Sequence, residues 1–524
     1  MSDVIAKNIS KQEANTSAHP VAVIDIGTNA IRMVIAQVFP SGEFEVLERL
    51  QRPIRLGKDT FSRGRIGAQS MRSAVAILRD YQQVMDSYRV ERVRAVATSS
   101  LRDAANADNV LDRIFMACRL NVEIIGIAEE GRLTVAAVRE VVEDLSEVNE
   151  GKTLVVDVGG GSTILTMLQE GEIVNSVGLR FGSVRILEML SLQTEPPERV
   201  AEVLQQQIRI QIANVERSLS LEECDTFVAV GGDVRFAARV VGHPTRSEKL
   251  FVVEKEQFRG LVRQCSRHTP NQLAHKYNLP FVDAETLLPA LMTYWELLCR
   301  TSAERVIVSQ VSMRDGLLLE LAQETTGQKD HVLLEGIIRA AEAIAKRYRA
   351  DLDHAHLVSG IAARLFDSLV TDHGLGPRQR LLLQVASLLH EIGGFVNTSA
   401  HHKHSYYIIS NTEIFGLNRL ETQIVAHVAR YHRRSPPKPS HLDYMALSRE
   451  QRVIVNKLAS ILRAADALAR GQVRQPEQVE FHHEADELII TVRGADNLVL
   501  QKRAIAAKCD MFEDVYGMKV RLQE

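Results

Sequence analysis

Two acidic turns, 132 residues apart, constrain this 524-residue chain more than any other feature. The first is Val21-Ala-Val-Ile-Asp25-Ile-Gly27-Thr28-Asn29, and the second is Leu154-Val-Val-Asp157-Val-Gly159-Gly160-Gly161-Ser162-Thr163. Each ends a β-rich apolar run on an aspartate, turns on small residues and enters a second β-rich run (31–39, 164–168). The pattern predicts two strand–turn–strand hairpins whose turns expose backbone N–H groups and small hydroxyls. Glycine lets the backbone approach a ligand, successive N–H groups make an anion nest, and a nearby Asp suits Mg²⁺ or a polarised water. Occurring twice, the motif implies a duplicated phosphate-handling cleft.

The surrounding sequence carries the same duplication. Strand-like runs at 21–26, 31–39, 44–50, 93–98 and 122–125 alternate with helical periodicity at 69–88, 109–119 and from 129 onward. A similar succession follows, with strands at 154–158, 164–168, 173–177, 227–230 and 306–308 and helices between them. Two halves with one order predict two similar α/β subdomains facing across a cleft. Beyond residue 330 strand-like runs stop until 479, amphipathic helical segments dominate, and 13 of the 17 histidines occur, which marks a separate all-helical domain. Runs at 479–481 and 488–493, a helix from 498 and a last strand near 520 predict a small α+β tail. The expected division is a disordered tail at 1–19, subdomains at 20–137 and 138–328, a helical domain at 329–474 and the small domain at 475–524.

Two further motifs fit the same cleft. In Thr98-Ser99-Ser100-Leu-Arg102 a strand ends where a helix can begin. The hydroxyls are placed to cap N–H groups, and an Arg fork is placed to grip phosphate oxygens. In Glu129-Glu130-Gly131-Arg132, paired acids open a helix. Such acids complement the helix dipole, but water attack on a phosphoanhydride also needs a carboxylate to orient or deprotonate the water. Adjacent helical residues sit about 100° apart, so only one of the two is expected to face a cleft. Gly231-Gly232-Asp233 is another strand-to-helix glycine turn, and Gly178-Leu-Arg180-Phe-Gly182-Ser183 is expected to bring a base near it.

In this combination and order, the chain resembles the exopolyphosphatase/guanosine pentaphosphate phosphohydrolase (Ppx/GppA) family of the actin-like superfamily, in its long form with an HD-like domain. The matching stretches are Asp25-Ile-Gly-Thr-Asn29, Thr98-Ser-Ser-Leu-Arg102, Glu129-Glu-Gly-Arg132, Asp157-Val-Gly-Gly-Gly-Ser-Thr163 and Gly231-Gly232. The resemblance implies two actin-like (ribonuclease H-like) subdomains. It implies Mg²⁺-dependent release of terminal phosphate from inorganic polyphosphate, with another divalent ion allowed. The alternatives are pppGpp 5′-phosphohydrolysis or a non-catalytic ppGpp/polyphosphate sensor. Glu130 would be the catalytic base and Asp157 would help hold metal or water, with Asp25, Glu130 and Asp157 around the metal. Thr28, Asn29, Thr98, Ser99, Arg102, Gly159, Gly160, Gly161, Ser162, Thr163 and Gly232 would cradle phosphates. A homodimer is implied as well. Two departures stand out: Ala30 replaces a common serine, and Asp233 replaces a common threonine and would repel phosphate unless it meets a cation.

The helical region adds its own signals. His354, His390-Glu391 and Asp466 resemble the H…HD…D ligand pattern of HD phosphohydrolases, with Glu in place of the central Asp, and read as a degenerate domain that kept the fold and lost the metal. A run of bases (His401-His402-Lys403-His404, Arg430, His432, Arg433, Arg434, Lys438, Arg463, Arg470) predicts a positive groove threading polyphosphate toward the cleft, with Lys403, Arg433 and Arg434 as its contacts. The net charge of −3 gives no global pull toward nucleic acid or a membrane surface. Five scattered cysteines without a C-x-x-C pair suit reduced thiols, and the polar first 18 residues lack a signal-peptide core, so a cytoplasmic protein is expected.

Overall fold

The computed structural model describes residues 18–142, 145–190, 195–216, 219–326, 331–433, 435–470, 473–484, 486–494 and 498–523. The tail expected at 1–19 lies mostly outside the described residues, as does the division expected at 328/329. Two compact units divide between His331 and Val332.

The first unit is built on two mixed sheets. β1 (His19–Ile26), β2 (Ala30–Val38), β3 (Phe44–Pro53), β4 (Arg92–Ala97) and β5 (Val122–Ile124) run in the order β3-β2-β1-β4-β5. β6 (Lys152–Val158), β7 (Thr163–Gln169), β8 (Glu172–Leu179), β9 (Thr226–Val230), β10 (His243–Pro244), β11 (Leu250–Glu254) and β12 (Arg305–Ser309) run in the order β8-β7-β6-β9-β12-β11-β10. An antiparallel meander followed by parallel strands occurs in both, so β1 and β6 are equivalent central strands. This is the duplicated, actin-like arrangement the sequence predicts. Central position explains composition: Val21, Ala22, Val23, Ile24 and Ile26 are all fully buried because both faces of β1 are covered. Edge strand β3 alternates half-buried and exposed residues instead.

Sequence reasoning expects only helices between 230 and 306, but β10 and β11 lie there as an antiparallel edge. Leu250–Glu254 has five residues, too short for periodicity to separate strand from helix. The helix Met313–Thr326, late in the chain, packs on the first sheet: Met313, Leu317, Leu318 and Leu321 share a core with Val21, Val23, Val34 and Leu133.

The second unit is largely helical. Helices Leu352–Ser368, Pro377–Leu389, Arg419–Arg430 and Arg449–Leu468 pack around one apolar core. A small sheet of β13 (Val479–Glu484), β14 (Glu487–Val492) and β15 (Lys519–Gln523) contributes Val479, Leu488 and Ile490 to the same core. No helix among the described residues is long and apolar enough to cross a membrane.

Candidate active site

The two acidic turns are set by strand register. Asp25 pairs with Arg32 across β1 and β2, and Asp157 pairs with Ile164 across β6 and β7. Each turn closes on itself, Gly27 N–H bonding Ala30 O at 3.1 Å and Gly159 N–H bonding Ser162 O at 2.9 Å. The turns are also tied to other motifs. Thr28 Oγ1 and Ser99 Oγ are 3.0 Å apart, and the Tyr294 hydroxyl accepts from Val158 N–H at 3.2 Å and donates to Val230 O. Gly231 follows that carbonyl at φ +135°, where a Cβ would lie 2.7 Å from the Tyr294 hydroxyl, so only glycine suits the position.

These elements wall a cavity of 590 Å³. Asp25, Thr28, Asn29, Thr98, Ser99, Glu130, Asp157, Gly159, Gly160, Ser162 and Gly232 all line it. Three residues expected to cradle phosphate stand behind the wall. Thr163 is fully buried and donates to Phe181 O at 2.7 Å, because β7 alternation turns it inward. The Gly161 carbonyl accepts from Arg185 Nε at 2.7 Å. Arg102 donates to Ile125 O at 2.9 Å and to Glu130 Oε2 at 3.2 Å. Two further expectations change. Thr98 makes no side-chain capping bond at the helix it precedes. Arg180 is 71% exposed and pairs with Asp103, so it brings no base to the glycine turn.

The acidic pair divides its work as helix geometry requires. Glu129 turns inward and takes two bonds from Arg132, 2.6 and 2.8 Å long, while Glu130 faces the cavity. Burial pushes Glu130 up to about 7, with Arg102 opposing the shift and Asp157 adding to it. Burial pushes Asp157 up to about 6, with the Thr134 hydroxyl, 3.1 Å from Oδ2, pulling the other way. Both carboxyls are therefore poised near neutrality, the range useful for a general base.

Cations missing from the sequence reading complete the wall. Arg32, Arg49, Arg235, Arg239 and Arg314 line the cavity, and Arg314 reaches Asp25 Oδ2 at 2.9 Å across 289 residues of sequence. Burial first, then Arg314 and Arg32, lowers Arg235 to about 10, the mark of several positive charges held close together. The only sequence signal for them was position: Arg32 just past the first turn, Arg235 just past Gly232-Asp233, and Arg314 just past β12. Asp233 is also in the wall. Burial and then Asp283 push it up to about 7, and Arg32, the Thr286 hydroxyl and Arg235 offset this only in part, so the charged form is disfavoured there.

With this geometry in place, the comparisons with known proteins are decisive about family. The Ppx/GppA phosphatase family profile matches residues 34–325, and that of Ppx/GppA phosphatase domain III matches residues 338–509. This chain belongs to the Ppx/GppA phosphatase family. It is 24% identical over 475 residues to the guanosine-5′-triphosphate,3′-diphosphate pyrophosphatase of Aeromonas hydrophila subsp. hydrophila, spanning 90% of this chain and 91% of that one. An exopolyphosphatase from Cytophaga hutchinsonii superposes with a TM-score of 0.53 at 20% identity, over 58% of this chain and 98% of that one. An exopolyphosphatase-like protein gives 0.52 at 22% identity, over 59% and 99%. At such identities the two structures speak for the fold alone.

In this Ppx/GppA chain the second unit holds two further groupings. His354, His390 and Glu391 bring ligating atoms within 4.8 Å of one another, and so do His390, His432 and Asp466, with His390 common to both groups. Lys403 and Arg433 line a cavity of 420 Å³ with His402, Arg430, Tyr431 and His441, and Arg434 lies outside the described residues. Two bases expected in that groove are elsewhere. Arg463 is fully buried, its guanidinium bound to Lys508 O at 2.7 Å and Asp510 Oδ1 at 2.6 Å, and Arg470 pairs with Asp466 at 3.5 Å. Helix Arg449–Leu468 carries Arg463 on its core-facing side, which a list of charges cannot reveal.

Proposed function

We propose that the first unit hydrolyses a terminal phosphoanhydride by direct attack of water, with inorganic polyphosphate as substrate and orthophosphate as product. One observation carries this reading: Glu130, held by Arg102, projects into a cavity whose walls include two small-residue turns and five arginines. Phosphoryl transfer asks mainly for positioning and charge neutralisation, and this wall supplies both. Glu130 orients the water and takes its proton. The Thr28, Gly159–Gly160 and Ser162 turns receive the terminal phosphate, and Arg32, Arg235 and Arg314 offset its charge. Asp25, Glu130 and Asp157 line the cavity with carboxylate oxygens, the donor type Mg²⁺ takes, though their oxygens do not gather into a preformed three-ligand cluster among the described residues. An ion bound by them would neutralise charge on the phosphate oxygens.

A specific observation favours the second substrate, pppGpp. Beside the phosphate turns, the cavity has an apolar wall of Phe236, Leu279 and Leu287 next to Asp233, Asp283 and Thr286. A guanine ring offers N1–H and an exocyclic amine to such carboxylates, whereas polyphosphate offers only negative oxygens. The deciding measurement is phosphate release from long polyphosphate and from pppGpp by wild type and Asp233→Asn. If guanine is read there, the substitution lowers kcat/KM on pppGpp at least tenfold and spares polyphosphate. If polyphosphate lies there, removing the charge raises its turnover. An equal effect on both would remove Asp233 from substrate choice.

The 420 Å³ cavity of the second unit supports local capture of a polyanion. Lys403, Arg430 and Arg433 converge there, and of the three, among the described residues, Arg430 meets a carboxylate, Asp443 at 3.5 Å. Replacing Lys403 and Arg433 together by Ala is expected to weaken binding of long polyphosphate at least tenfold at low salt, with little change for tripolyphosphate. Equal loss for both chain lengths in a binding titration would refute the capture role.

A further inference from the structure

The second unit contains a buried set of side chains whose geometry the hydrolysis does not use. His390 ends helix Pro377–Leu389, His432 follows helix Arg419–Arg430, and Asp466 lies in helix Arg449–Leu468. All three are buried, and their ligating atoms lie within 4.8 Å of one another. His354, from helix Leu352–Ser368, adds a fourth group, its Nε2 3.7 Å from Asp466 Oδ1.

Both buried imidazoles have their tautomers fixed in the same way. His390 Nδ1 is 2.6 Å from Ser387 O, and His432 Nδ1 is 2.6 Å from Ala429 O. A carbonyl only accepts, so each Nδ1 carries the hydrogen and each Nε2 presents a lone pair. Among the described residues, His390 Nε2 is buried without a hydrogen-bond partner, and buried Asp466 Oδ1 has only the longer contacts to Arg470 Nε at 3.5 Å and His354 Nε2 at 3.7 Å. His432 Nε2 meets only the rim residue His401, whose Nε2 stands 3.3 Å away. A buried lone pair without a donor is costly, and a ring held through its other nitrogen by a carbonyl is the usual outer support of a metal-ligating histidine. Asp466 also divides its oxygens: Oδ2 takes the Lys508 ammonium, while Oδ1 faces His354 and shares its outer side with the half-exposed Arg470, 3.5 Å away.

We infer that His390, His432 and Asp466, completed by His354, form a binding site for a first-row divalent metal in the second unit. The donor set is three imidazole nitrogens and one carboxylate oxygen, which suits Zn²⁺, Co²⁺ or Ni²⁺ and disfavours Mg²⁺. This nitrogen-rich set differs in chemistry from the carboxylates that line the cleft of the first unit. His432 completes the set in place of reliance on Glu391, whose longer side chain departs from the pattern noted in the sequence. Lys508 sets the affinity, because its positive charge on the same carboxylate opposes a second cation.

The test is a Co²⁺ titration of the full-length protein after chelator treatment, followed by visible d–d absorption and by metal content after gel filtration. One equivalent with a four-coordinate spectrum is expected. The signal should be lost in His432→Gln and kept in Glu130→Gln, which separates this site from the cleft. Lys508→Met should tighten binding at least tenfold, a gain that a misfolded variant could not give. Absence of bound Co²⁺ in wild type, or a spectrum indifferent to His390→Gln and His432→Gln, would overturn the inference.

Discussion

Glu130→Gln lowers kcat by roughly 10²- to 10⁴-fold on whichever phosphoanhydride the cleft turns over, the usual range for loss of a general base. The amide keeps the size of the side chain and can still meet Arg102, so the protein stays folded and substrate binding changes little. The pH dependence makes the assignment sharper. Burial holds the Glu130 proton up to about 7 against an ordinary value of 4.5. The base form is therefore scarce below neutrality, and kcat/KM should climb with pH up to that point. A divalent cation beside the carboxylate favours its charged form, so rising Mg²⁺ should move this limb to lower pH. Stability runs the other way. A folded value above the unfolded one favours the native state at low pH, and that contribution is lost as pH rises from 4.5 through about 7 in metal-free protein. Glu130→Gln should abolish this slope as well as the activity. A variant within threefold of wild-type kcat would place the base elsewhere.

Arg132→Met should be the most destabilising single change near the cleft, by about 3–5 kcal/mol, because it removes a buried guanidinium that two carboxylates bind. Arg132 is 4% exposed, binds both oxygens of Glu129 and also pairs with Glu320. Glu129 and Arg132 lie in helix Ile127–Val142, and Glu320 lies in Met313–Thr326, so the trio locks the two helices that share the first sheet's core. The chain's one tryptophan, Trp295, lies in helix Phe281–Leu298 of the first unit, and its fluorescence reports urea unfolding there. The transition should move to markedly lower urea, and adding Glu129→Gln should recover part of the loss by removing a buried negative charge that Arg132 had balanced. An Arg132→Met midpoint unchanged from wild type would show that these charges are solvated in the native protein. Together with Glu130→Gln the experiment separates two neighbouring glutamates: one whose loss stops turnover, and one whose charge serves only the fold.

The same pair shows how far the sequence could be read. Local pattern is physically dictated by local geometry, so the alternation of apolar residues, the two Asp-small-residue turns and the shift to helical periodicity after residue 330 were all legible. The observed sheets follow from them, with β1 and β6 in equivalent places. The motifs also sufficed for the family, because their order along the chain is a property of sequence. Short edge strands such as β11 escaped, since five residues carry too little periodicity. The helix Ile127–Val142 was expected, and so was the rule that one of its two acids would face the cleft. Which one depended on where the helix packed.

The sequence by itself determined the duplicated α/β plan, the helical second unit and the acidic and small-residue side of the cleft, because each of these is written in contiguous residues. Only the tertiary structure supplied the cationic side. Arg314 reaches Asp25 from 289 positions away, and His432 meets Asp466 from a different helix end. Only tertiary structure moved Arg463 from a supposed surface groove into the core and brought Arg102 against Glu130. The physical reason is range: turn and strand preferences act within a few residues, while charge pairing and burial depend on through-space neighbours that distant segments bring together.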